Sequence, residues 1–372
     1  MVEWKKLEEV CEIMTGGDTP ADCVKGQLLP SESHPYPVYS NGDEVYGFSP
    51  CCRIKKDAVT ISSIGNVGSV FFREANFTPI IRLKVVIPKE SLDTKYLYYS
   101  LLDYKFVGTN SSLSSMKAAD IKRIEVPIPS LSEQNRIVGI LDTFTSSIEN
   151  LKQQIAERRK QYEYYRDQLH DLEGKEGVEM MKMGDLFTFK NGLNKGKEYF
   201  GKGKPIIMFT NVFQSCYINK SMITSKVDIT EKELERINAR VGDVFFTRTS
   251  ETQEDVGYAS VLIEDIEGCT FAGFLIRARP ITDKLLPKYC KYCFLTSKMR
   301  NAIVSKSSFT TRASLTGSGL SDIVIYVPSR YEQSRIVSIL DTFEASIQNL
   351  EDQLSQREKQ YEYYRNKLLT FE

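Results

Sequence analysis

Histidine is scarce in this sequence, and it is the side chain that most often performs acid–base chemistry near neutral pH. The 372 residues include two histidines, His34 in a proline-rich loop and His170 near a helix end. Neither lies beside a serine or cysteine nucleophile signature, so both are interpreted as surface residues. The phosphate-binding pattern G-x-x-x-x-G-K-[ST] is also missing. A chain with no assembled acid, base or nucleotide signature is not expected to perform chemistry alone.

Other absences restrict the environment of the chain. No apolar run approaches the roughly 18 residues of a membrane span, and no secretory h-region follows the start. These features favour a cytoplasmic protein without a membrane partner. Cys290-x-x-Cys293 has the spacing of half a zinc site, but no second pair matches it, so buried free thiols and no metal are expected. Asp171, Glu173 and Lys175 are similar to a nuclease D…E-x-K pattern but follow a helix rather than paired strands.

A long repeat is the most informative feature present. Residues 133–169 align without a gap on residues 332–368, with 24 of 37 positions identical at an offset of 199. The segments that precede the two copies, 1–132 and 178–331, are far less alike. The connecting segments are nearly identical while the globular segments differ. The chain is therefore interpreted as holding two different recognition units in one fixed arrangement.

Each copy follows a strict heptad, which predicts two long helices that pack as a coiled coil. Capping boxes at Ser130-x-x-Glu133 and Ser329-x-x-Glu332 mark the helix starts, and Gly174 is expected to end the first helix. Each helix should therefore have about 43 residues and a length of roughly 65 Å. The seam of the first helix is predicted at Ile137, Leu141, Phe144, Ile148, Leu151, Ile155, Arg158, Tyr162 and Tyr165, and continues to Leu169 and Leu172. The seam of the second is predicted at Ile336, Leu340, Phe343, Ile347, Leu350, Leu354, Arg357, Tyr361 and Tyr364, and continues to Leu368 and Phe371.

Connectivity predicts the relative direction of the helices. The second globular segment starts where the first helix ends, and a domain of about 150 residues spans roughly 40 Å with its termini usually close together. Parallel helices would require the chain to return by a whole helix length, so antiparallel helices are expected, related by a pseudo-twofold axis near Ile155 and Leu354.

The globular segments are predicted to share one α/β fold. In the first, strands are expected at Val38–Ser40, Val59–Ser62, Val70–Phe72, Ile80–Ile87 and Ile124–Ile128, with a helix at Thr94–Lys105. In the second, strands are expected at Ile206–Phe209, Val244–Phe246, Tyr258–Ile263, Leu275–Ala278 and Ile323–Val327, with a helix at Pro287–Arg300. The net charge of zero is uneven, since residues 179–331 have 22 basic and 16 acidic side chains while both helical segments are acidic. A basic second segment makes nucleic acid a plausible partner.

At this point the residues resemble a known family. A strand, a proline and Ser-Glu-Gln-x-Arg-Ile-Val-x-Ile-Leu-Asp, followed by a tyrosine-ended helix, occur twice, as in the DNA-specificity (S) subunits of type I restriction-modification systems. Pro129–Gln134 and Pro328–Gln333 are similar to the family's domain-to-helix junction, and Tyr36–Gly42 and Lys95–Tyr99 to its target-recognition domains. The resemblance implies an α+β fold of two target-recognition domains, 1–130 and 179–328, held apart by helical spacers at 131–173 and 329–372 with a linker at 174–178.

The resemblance also implies a function. Each recognition domain would read one half of a bipartite double-stranded DNA target, and the helices would set the spacing and dock two methyltransferase subunits. Restriction-translocase subunits would attach through the methyltransferases. The chain itself would be a non-catalytic subunit without a cofactor, in a complex that is an adenine DNA methyltransferase and ATP-dependent restriction endonuclease. S-adenosylmethionine, ATP and Mg²⁺ would be bound by the partner subunits.

DNA contacts are expected from hydrogen-bonding side chains on loops near glycine. Lysines 190–204 could follow a phosphate backbone, although a solvated basic turn explains them equally well. Arg and Gln in the run 246–253 are types that read guanine and adenine edges, and the hydroxyl-rich runs 306–312 and 110–117 suit groove contact. The candidates are Asn66, Ser112, Lys117, Lys190, Lys195, Lys202, Arg248, Thr249, Gln253, Thr310 and Arg312.

Two other classes of protein remain open. One is an adaptor whose domains bind proteins, which would have no salt-dependent affinity for DNA. The other is a stand-alone enzyme, which the missing catalytic signatures disfavour.

Overall fold

The computed structural model describes residues 2–102, 104, 106 and 116–371. The chain forms two compact units, each of mixed helix and strand. The first contains the chain up to Lys152 together with the segment from Asp352 onward, and the second contains Gln153–Glu351. The predicted fold class, two α/β domains joined by two long helices, is confirmed. Within the described residues, no helix is long and apolar enough to cross a membrane.

The described residues of the first unit form two four-stranded sheets and one two-stranded ribbon. Its strands are β1 (Glu3–Lys6), β2 (Cys11–Thr15), β3 (Val24–Lys25), β4 (Tyr36–Tyr39), β5 (Val45–Ser49), β6 (Ala58–Ile61), β7 (Val70–Arg73), β8 (Thr78–Pro79), β9 (Lys84–Pro88) and β10 (Glu125–Ile128). Its short helices are α1 (Leu7–Val10), α2 (Thr94–Leu101) and α3 (Ala118–Lys122), and the long helix α4 (Leu131–Leu169) begins in this unit. The sheets have the orders β2-β9-β6-β7 and β3-β5-β4-β8, and the ribbon pairs β1 with β10.

The second unit is larger but repeats this plan. Its strands are β11 (Glu179–Lys182), β12 (Phe187–Asn191), β13 (Phe200–Ile207), β14 (Tyr217–Ile218), β15 (Lys226–Val227), β16 (Val244–Thr247), β17 (Thr249–Ser250), β18 (Ala259–Leu262), β19 (Thr270–Phe271), β20 (Leu275–Pro280), β21 (Ser308–Phe309), β22 (Ala313–Ser314) and β23 (Val324–Val327). Its helices are α5 (Met183–Leu186), α6 (Phe209–Phe213), α7 (Glu231–Ile237), α8 (Pro287–Cys293), α9 (Ser297–Ser305), α10 (Gly317–Ser321) and the long α11 (Arg330–Leu369). The sheet β12-β20-β16-β18-β14 matches β2-β9-β6-β7 with one added strand, and β11 pairs with β23.

Most predicted strands are confirmed within one to two residues, and four elements are corrected. The strand expected at Ile206–Phe209 is the end of β13, which begins at Phe200 and stops at Ile207, because Phe209 starts α6 and the Met208 amide donates to the Asn211 side chain at 2.8 Å. The helix expected at Thr94–Lys105 ends at Leu101, where the Leu102 amide donates to the Tyr99 carbonyl at 3.4 Å, and Lys105 lies outside the described residues.

The other two corrections concern Pro287–Arg300 and Ile80–Ile87. The helix expected at Pro287–Arg300 is two helices, because Thr296 caps a new helix by accepting a hydrogen bond from the Met299 amide at 3.3 Å. The strand expected at Ile80–Ile87 begins only at Lys84, because Ile81 and Arg82 have left-handed backbone angles, with φ of 51° and 59°. Such angles cannot continue a strand.

The repeated Glu-Gln of the junction has a structural explanation in each unit. The Gln134 side chain is fully buried, donates to the carbonyls of Ser91 and Pro129, and accepts from the Asp93 amide at 2.8 Å. Gln333 is buried in the same way. It donates to the Lys284 and Pro328 carbonyls and accepts from the Leu286 amide at 2.8 Å. One glutamine therefore attaches each domain to the first turn of its long helix.

Within each unit the two long helices run antiparallel. In the first unit Phe144 of α4 stacks on Tyr364 of α11, with ring centroids 5.4 Å apart. In the second unit Tyr165 of α4 stacks on Phe343 of α11 at 5.5 Å. Each pair joins the beginning of one helix to the end of the other, as antiparallel packing requires.

The predicted seam positions face inward to different degrees. Ile137, Leu141, Ile155, Ile336 and Leu340 are buried, while Tyr165 and Tyr364 remain 47% and 41% exposed. Leu172, beyond the end of the first helix, is also buried, and the other predicted seam residues are half-buried. The two polar seam residues lie over aromatic rings, with the Arg158 guanidinium 5.9 Å from the Phe343 ring and the Arg357 guanidinium 5.6 Å from the Phe144 ring.

The first helix is shorter than expected. It ends at Leu169 after 39 residues and does not extend to Gly174. The chain instead turns back, and Leu172 is buried with 2% exposure. Gly174 and Gly177 both adopt left-handed angles, with φ of 71° and 73°, which a non-glycine residue would adopt only with strain. Helix α11 has 40 residues.

Candidate nucleic-acid interface

A cleft of about 970 Å³ opens in the second unit beside the ends of β12, β16 and β19. Four cationic side chains line it, together with two phenylalanines and several hydroxyl and amide groups. These residues are Asn194, Lys195, Lys197, Phe200, Thr224, Ser225, Lys226, Arg248, Thr249 and Phe274. Cations, hydrogen-bonding groups and exposed aromatic rings together are the chemistry of a nucleic-acid surface.

Close backbone packing forms one wall of this cleft. Gly192 follows β12, and a Cβ atom at this position would collide with the Ala272 carbonyl oxygen. Arg248 follows β16, and its amide donates to the Phe274 carbonyl at 2.8 Å. The Arg248 carbonyl accepts from the Leu315 amide at 2.9 Å. The backbone of Arg248 is therefore fixed on both sides while its side chain lines the cleft.

The structure brings several predicted DNA-binding residues together. Strands β17, β22 and β21 form one small sheet, which joins the segment after Arg248 to the segment 308–314. Gln253 donates to the Ser307 hydroxyl at 3.3 Å. Thr249 lines both the cleft and a neighbouring depression of about 330 Å³, which Arg312 also lines. Arg248, Thr249, Gln253 and Arg312 are thus parts of one continuous region, and Thr310 is exposed next to it.

Lys195 lines the cleft, but its charge is already paired. Its ammonium donates to Glu233 at 2.8 Å and to the Asp228 carbonyl at 3.0 Å. The hydrogen bond from Lys195 is the largest cause that lowers the pKa of Glu233 to about 2, and hydrogen bonds from Thr230 add to it. This lysine is therefore suited to shaping the cleft more than to following a phosphate.

The remaining candidates lie elsewhere. Lys202 is exposed on β13, with its ammonium 3.5 Å from Asp228. Lys190 is exposed on β12, where it faces Arg277 in the strand register. In the first unit Asn66 and Lys117 are exposed, and Ser112 lies outside the described residues.

One feature that sequence reasoning missed is a pair of matching turns. In the first unit the turn Ile80–Leu83 connects β8 to β9, and Ile81 and Arg82 are exposed. In the second unit Ala272–Phe274 connects β19 to β20, and Phe274 is 61% exposed. The first turn was hidden by the apolar run that indicated a strand. The signal in the sequence was a charged residue, Arg82, inside an otherwise apolar run.

The candidates for catalysis and metal binding are buried or paired with other side chains. Cys290 and Cys293 are buried free thiols, and burial raises the pKa of both. Glu173 pairs with Lys298. His170 is not the surface residue expected, because it packs against Tyr289 with ring centroids 5.1 Å apart and burial lowers its pKa to about 4. In the described part of the chain, no group of three or more His, Cys, Asp or Glu side chains is placed to hold a metal ion.

Comparison with known proteins assigns this chain to a protein family. The family model of the type I restriction modification DNA specificity domain matches residues 1–158 and 175–357. The chain belongs to this family, whose members determine DNA sequence specificity.

Individual relatives agree with this assignment. A type I specificity subunit of Mycoplasma pneumoniae is 31% identical over 173 residues, covering 44% of this chain and 51% of that protein. A second M. pneumoniae relative is matched over 47% of its length, so this chain spans about half of these two relatives. A type I restriction enzyme specificity subunit of Haemophilus influenzae is 28% identical over 407 residues, covering 100% of this chain and 96% of that protein.

Solved structures support the fold. The S subunit of a type I system from M. genitalium has a TM-score of 0.59 at 16% identity, covering 100% of this chain and 97% of that one. A chain from a structural study of type I complex assembly and conformational transition has a TM-score of 0.62 at 16% identity, with 99% and 97% covered. At this identity the likeness concerns the fold alone.

Proposed function

We propose that this chain is the specificity subunit of a type I restriction-modification complex and that each unit contains a domain reading one half of a bipartite DNA target. The recognition domains are assigned to residues 1–130 and 179–328. The helical regions are assigned to 131–173 and 329–372, with a linker at 174–178. The main support is one fold that occurs twice with the same junction to a long helix but with different exposed loops.

The cleft of the second unit supports DNA as the ligand. Lys197, Lys226 and Arg248 line it, and Phe274 is exposed at its edge. An arginine with a fixed backbone at the end of a strand is suited to a bidentate contact with guanine. Hydroxyl groups such as Thr249 supply additional donors and acceptors for phosphates or base edges.

In this proposal the chemistry belongs to partner subunits. The long helices have acidic outer positions, and two methyltransferase subunits dock on them about the pseudo-twofold axis. Those subunits bind S-adenosylmethionine and methylate adenine. The restriction-translocase subunits attach through the methyltransferases and use ATP and Mg²⁺.

Reconstitution tests the proposal. The purified chain is mixed with a methyltransferase subunit of a type I system from the same host, and binding to DNA fragments is measured over a range of salt concentrations. We expect a complex with two methyltransferase subunits, whose affinity for one bipartite sequence decreases as salt increases. A stable complex without salt-dependent DNA affinity would favour a protein-binding adaptor, and methyl transfer by the purified chain alone would indicate a stand-alone enzyme.

A further inference from the structure

The turn Ile80–Leu83 of the first unit has a strained backbone. Ile81 and Arg82 both have left-handed angles, with φ of 51° and 59°. This region is unfavourable for residues with a Cβ atom and most of all for a β-branched residue. The Ile81 side chain is also 42% exposed, so burial in this chain does not compensate for the strain. Strain of this kind persists where the surroundings enforce it, and it is concentrated at functional positions.

Hydrogen bonds on both sides enforce this backbone. The amides of Ile81 and Arg82 donate to the carbonyls of Gly17 and Gly16, at 2.9 and 3.2 Å. The Asn41 side-chain amide donates to the Ile81 carbonyl at 2.6 Å, and the Ser63 hydroxyl donates to the Arg82 carbonyl at 2.7 Å. The peptide groups of both residues are thus engaged by the protein.

Glycine is required beneath this turn. A Cβ atom at Gly16 would lie 2.9 Å from the Ile80 amide nitrogen, which is closer than real contacts allow. The chain therefore places a rigid turn at the end of the sheet that contains β2, β9 and β6, with the side chains of Ile81 and Arg82 exposed.

The electrostatics of the turn favour an anion or an acceptor-rich surface. Lys84, the first residue of β9, is 6% exposed, and its ammonium donates to the Thr15 hydroxyl at 3.2 Å. Burial lowers the pKa of Lys84, and the nearby positive charge of Arg82 lowers it further. Two cations are therefore close together at this end of the sheet. An exposed guanidinium on a rigid backbone is suited to a bidentate contact with guanine.

The second unit has a different pair of residues at the corresponding turn between β19 and β20. An isolated bridge joins Gly17 to Ile80 in the first unit, and the matching bridge joins Leu193 to Ala272 in the second. The register from these bridges aligns Ile81 with Gly273 and Arg82 with Phe274. The Phe274 carbonyl accepts from the Arg248 amide, so this turn is also attached to the segment that follows the central strand. Its exposed ring offers an apolar face, which suits the methyl group of thymine.

We infer that these two turns are base-reading elements and that they help to make the two half-targets different. Arg82 contacts a guanine edge in the first half-target, with Ile81 packed beside it. Phe274 makes an apolar contact with a base in the second half-target. The inference rests on the proposed function and specifies residues for it.

The test maps the recognised sequence of four variants in the reconstituted complex with the methyltransferase. Arg82→Ala should lower discrimination at one position of the first half-target by about ten- to a hundredfold, the size expected for one lost bidentate contact. Arg82→Lys should relax the same position while keeping the salt dependence, because it retains the charge and loses the planar fork. Phe274→Ala should relax one position of the second half-target only.

The fourth variant separates recognition from folding. Ile81→Gly should raise the melting temperature, because glycine adopts the left-handed angle without strain, and should weaken recognition of the first half-target. A residue with only a structural role would not combine a gain in stability with a loss of recognition.

Matched controls lie at the other end of the same sheets. Lys56→Ala removes an exposed cation beside Glu12 and Pro88, at the opposite end of β2 and β9 from Arg82. Ile281→Ala removes a 54% exposed apolar side chain just beyond the far end of β20. Neither change should alter recognition.

The outcomes distinguish this inference from the proposed function. If the wild-type complex recognises a bipartite sequence and Arg82→Ala and Phe274→Ala leave it unchanged, the inference is wrong and the proposed function stands. If Arg82→Ala weakens binding to all sequences equally, Arg82 is a phosphate contact and base reading is overturned. If the wild-type complex recognises no bipartite sequence, the proposed function itself fails.

Discussion

At the scale of single residues, the chain contains side chains that stabilise the fold and side chains that line an open surface. Gln134 and Gln333 are buried and satisfy three backbone groups each. Lys195 looks like a DNA ligand by sequence but is paired with Glu233. Arg248 has a fixed backbone, and its side chain lines the cleft with one long hydrogen bond, 3.5 Å, to the Gly273 carbonyl. The sequence alone cannot distinguish a lysine that is paired with a carboxylate from one that is available to a ligand, because pairing depends on the fold.

The junction glutamines give a stability prediction. Gln134→Ala would leave the Asp93 amide and the Ser91 and Pro129 carbonyls without the partner that they now have. An unsatisfied buried polar group costs about 1–3 kcal/mol, so Gln134→Ala should unfold at a clearly lower denaturant concentration than the wild type. Asn135→Ala, which changes an exposed neighbour on the same helix turn, is the control and should have little effect. Equal midpoints for the two variants would show that the junction does not depend on this side chain.

The cleft gives a binding prediction. Arg248→Ala should relax recognition of one position in the second half-target, at a cost of about 1–3 kcal/mol for a lost bidentate contact. Gln253→Ala should act on the same half-target. Lys202→Ala should instead weaken binding to all sequences and reduce the salt slope. Methylation patterns and salt slopes that stay unchanged in all three variants would remove these loops from the interface.

His170 gives a prediction about pH. Burial lowers its pKa from 6.5 to about 4, so the folded chain holds it neutral while the unfolded chain binds a proton at a higher pH. The stabilising contribution is therefore present above pH 6.5 and decreases as the pH falls toward 4. His170→Phe should make the unfolding midpoint less dependent on pH in this window. An identical pH profile for the wild type and the variant would contradict the assigned burial.

At the scale of elements, the repeat and the heptad pattern predicted the helices and strands whose apolar residues recur at regular spacing. The long helices, their antiparallel packing within each unit and most strands could be predicted, because caps and apolar spacing are local signals. The turn Ile80–Leu83 could not, because its left-handed angles are enforced by Gly16, Gly17, Asn41 and Ser63 from three other segments. The grouping of Arg248, Gln253 and Arg312 could not be predicted either. It depends on the pairing of β17 with β22, which are distant in the sequence.

The helices give a prediction about assembly. A fragment that ends at residue 178 retains one long helix, and its seam residues Phe144 and Tyr162 lose their partners from α11. Two such fragments should dimerise through this seam, because the two copies of the helix are nearly identical. Sedimentation should give a dimer at micromolar concentration, and replacing Leu151 and Ile155 by Asp should give a monomer. A soluble monomer of the unmodified fragment would contradict the seam assignment.

At the scale of the whole molecule, the proposal is that two related recognition domains and two duplicated helices together define one bipartite DNA target. If the helices set the separation of the recognition domains, one extra heptad after Leu151 and another after Leu350 should lengthen the spacer by roughly 10 Å, or about three base pairs. The half-target sequences should not change, although rotation of the domains should reduce activity. Methylation with the original spacer would show that another feature sets the distance.

The most direct test of the central claim is a map of methylated adenines in the genome of the host, with and without this gene. The account predicts one bipartite methylated sequence, with two specified halves and a fixed unspecified spacer, that disappears when the gene is deleted and returns when it is restored. Restoration with the Arg248→Ala variant should relax one half only. An unchanged map after deletion, in cells that produce the methyltransferase subunit, would contradict the claim that this chain specifies the DNA target.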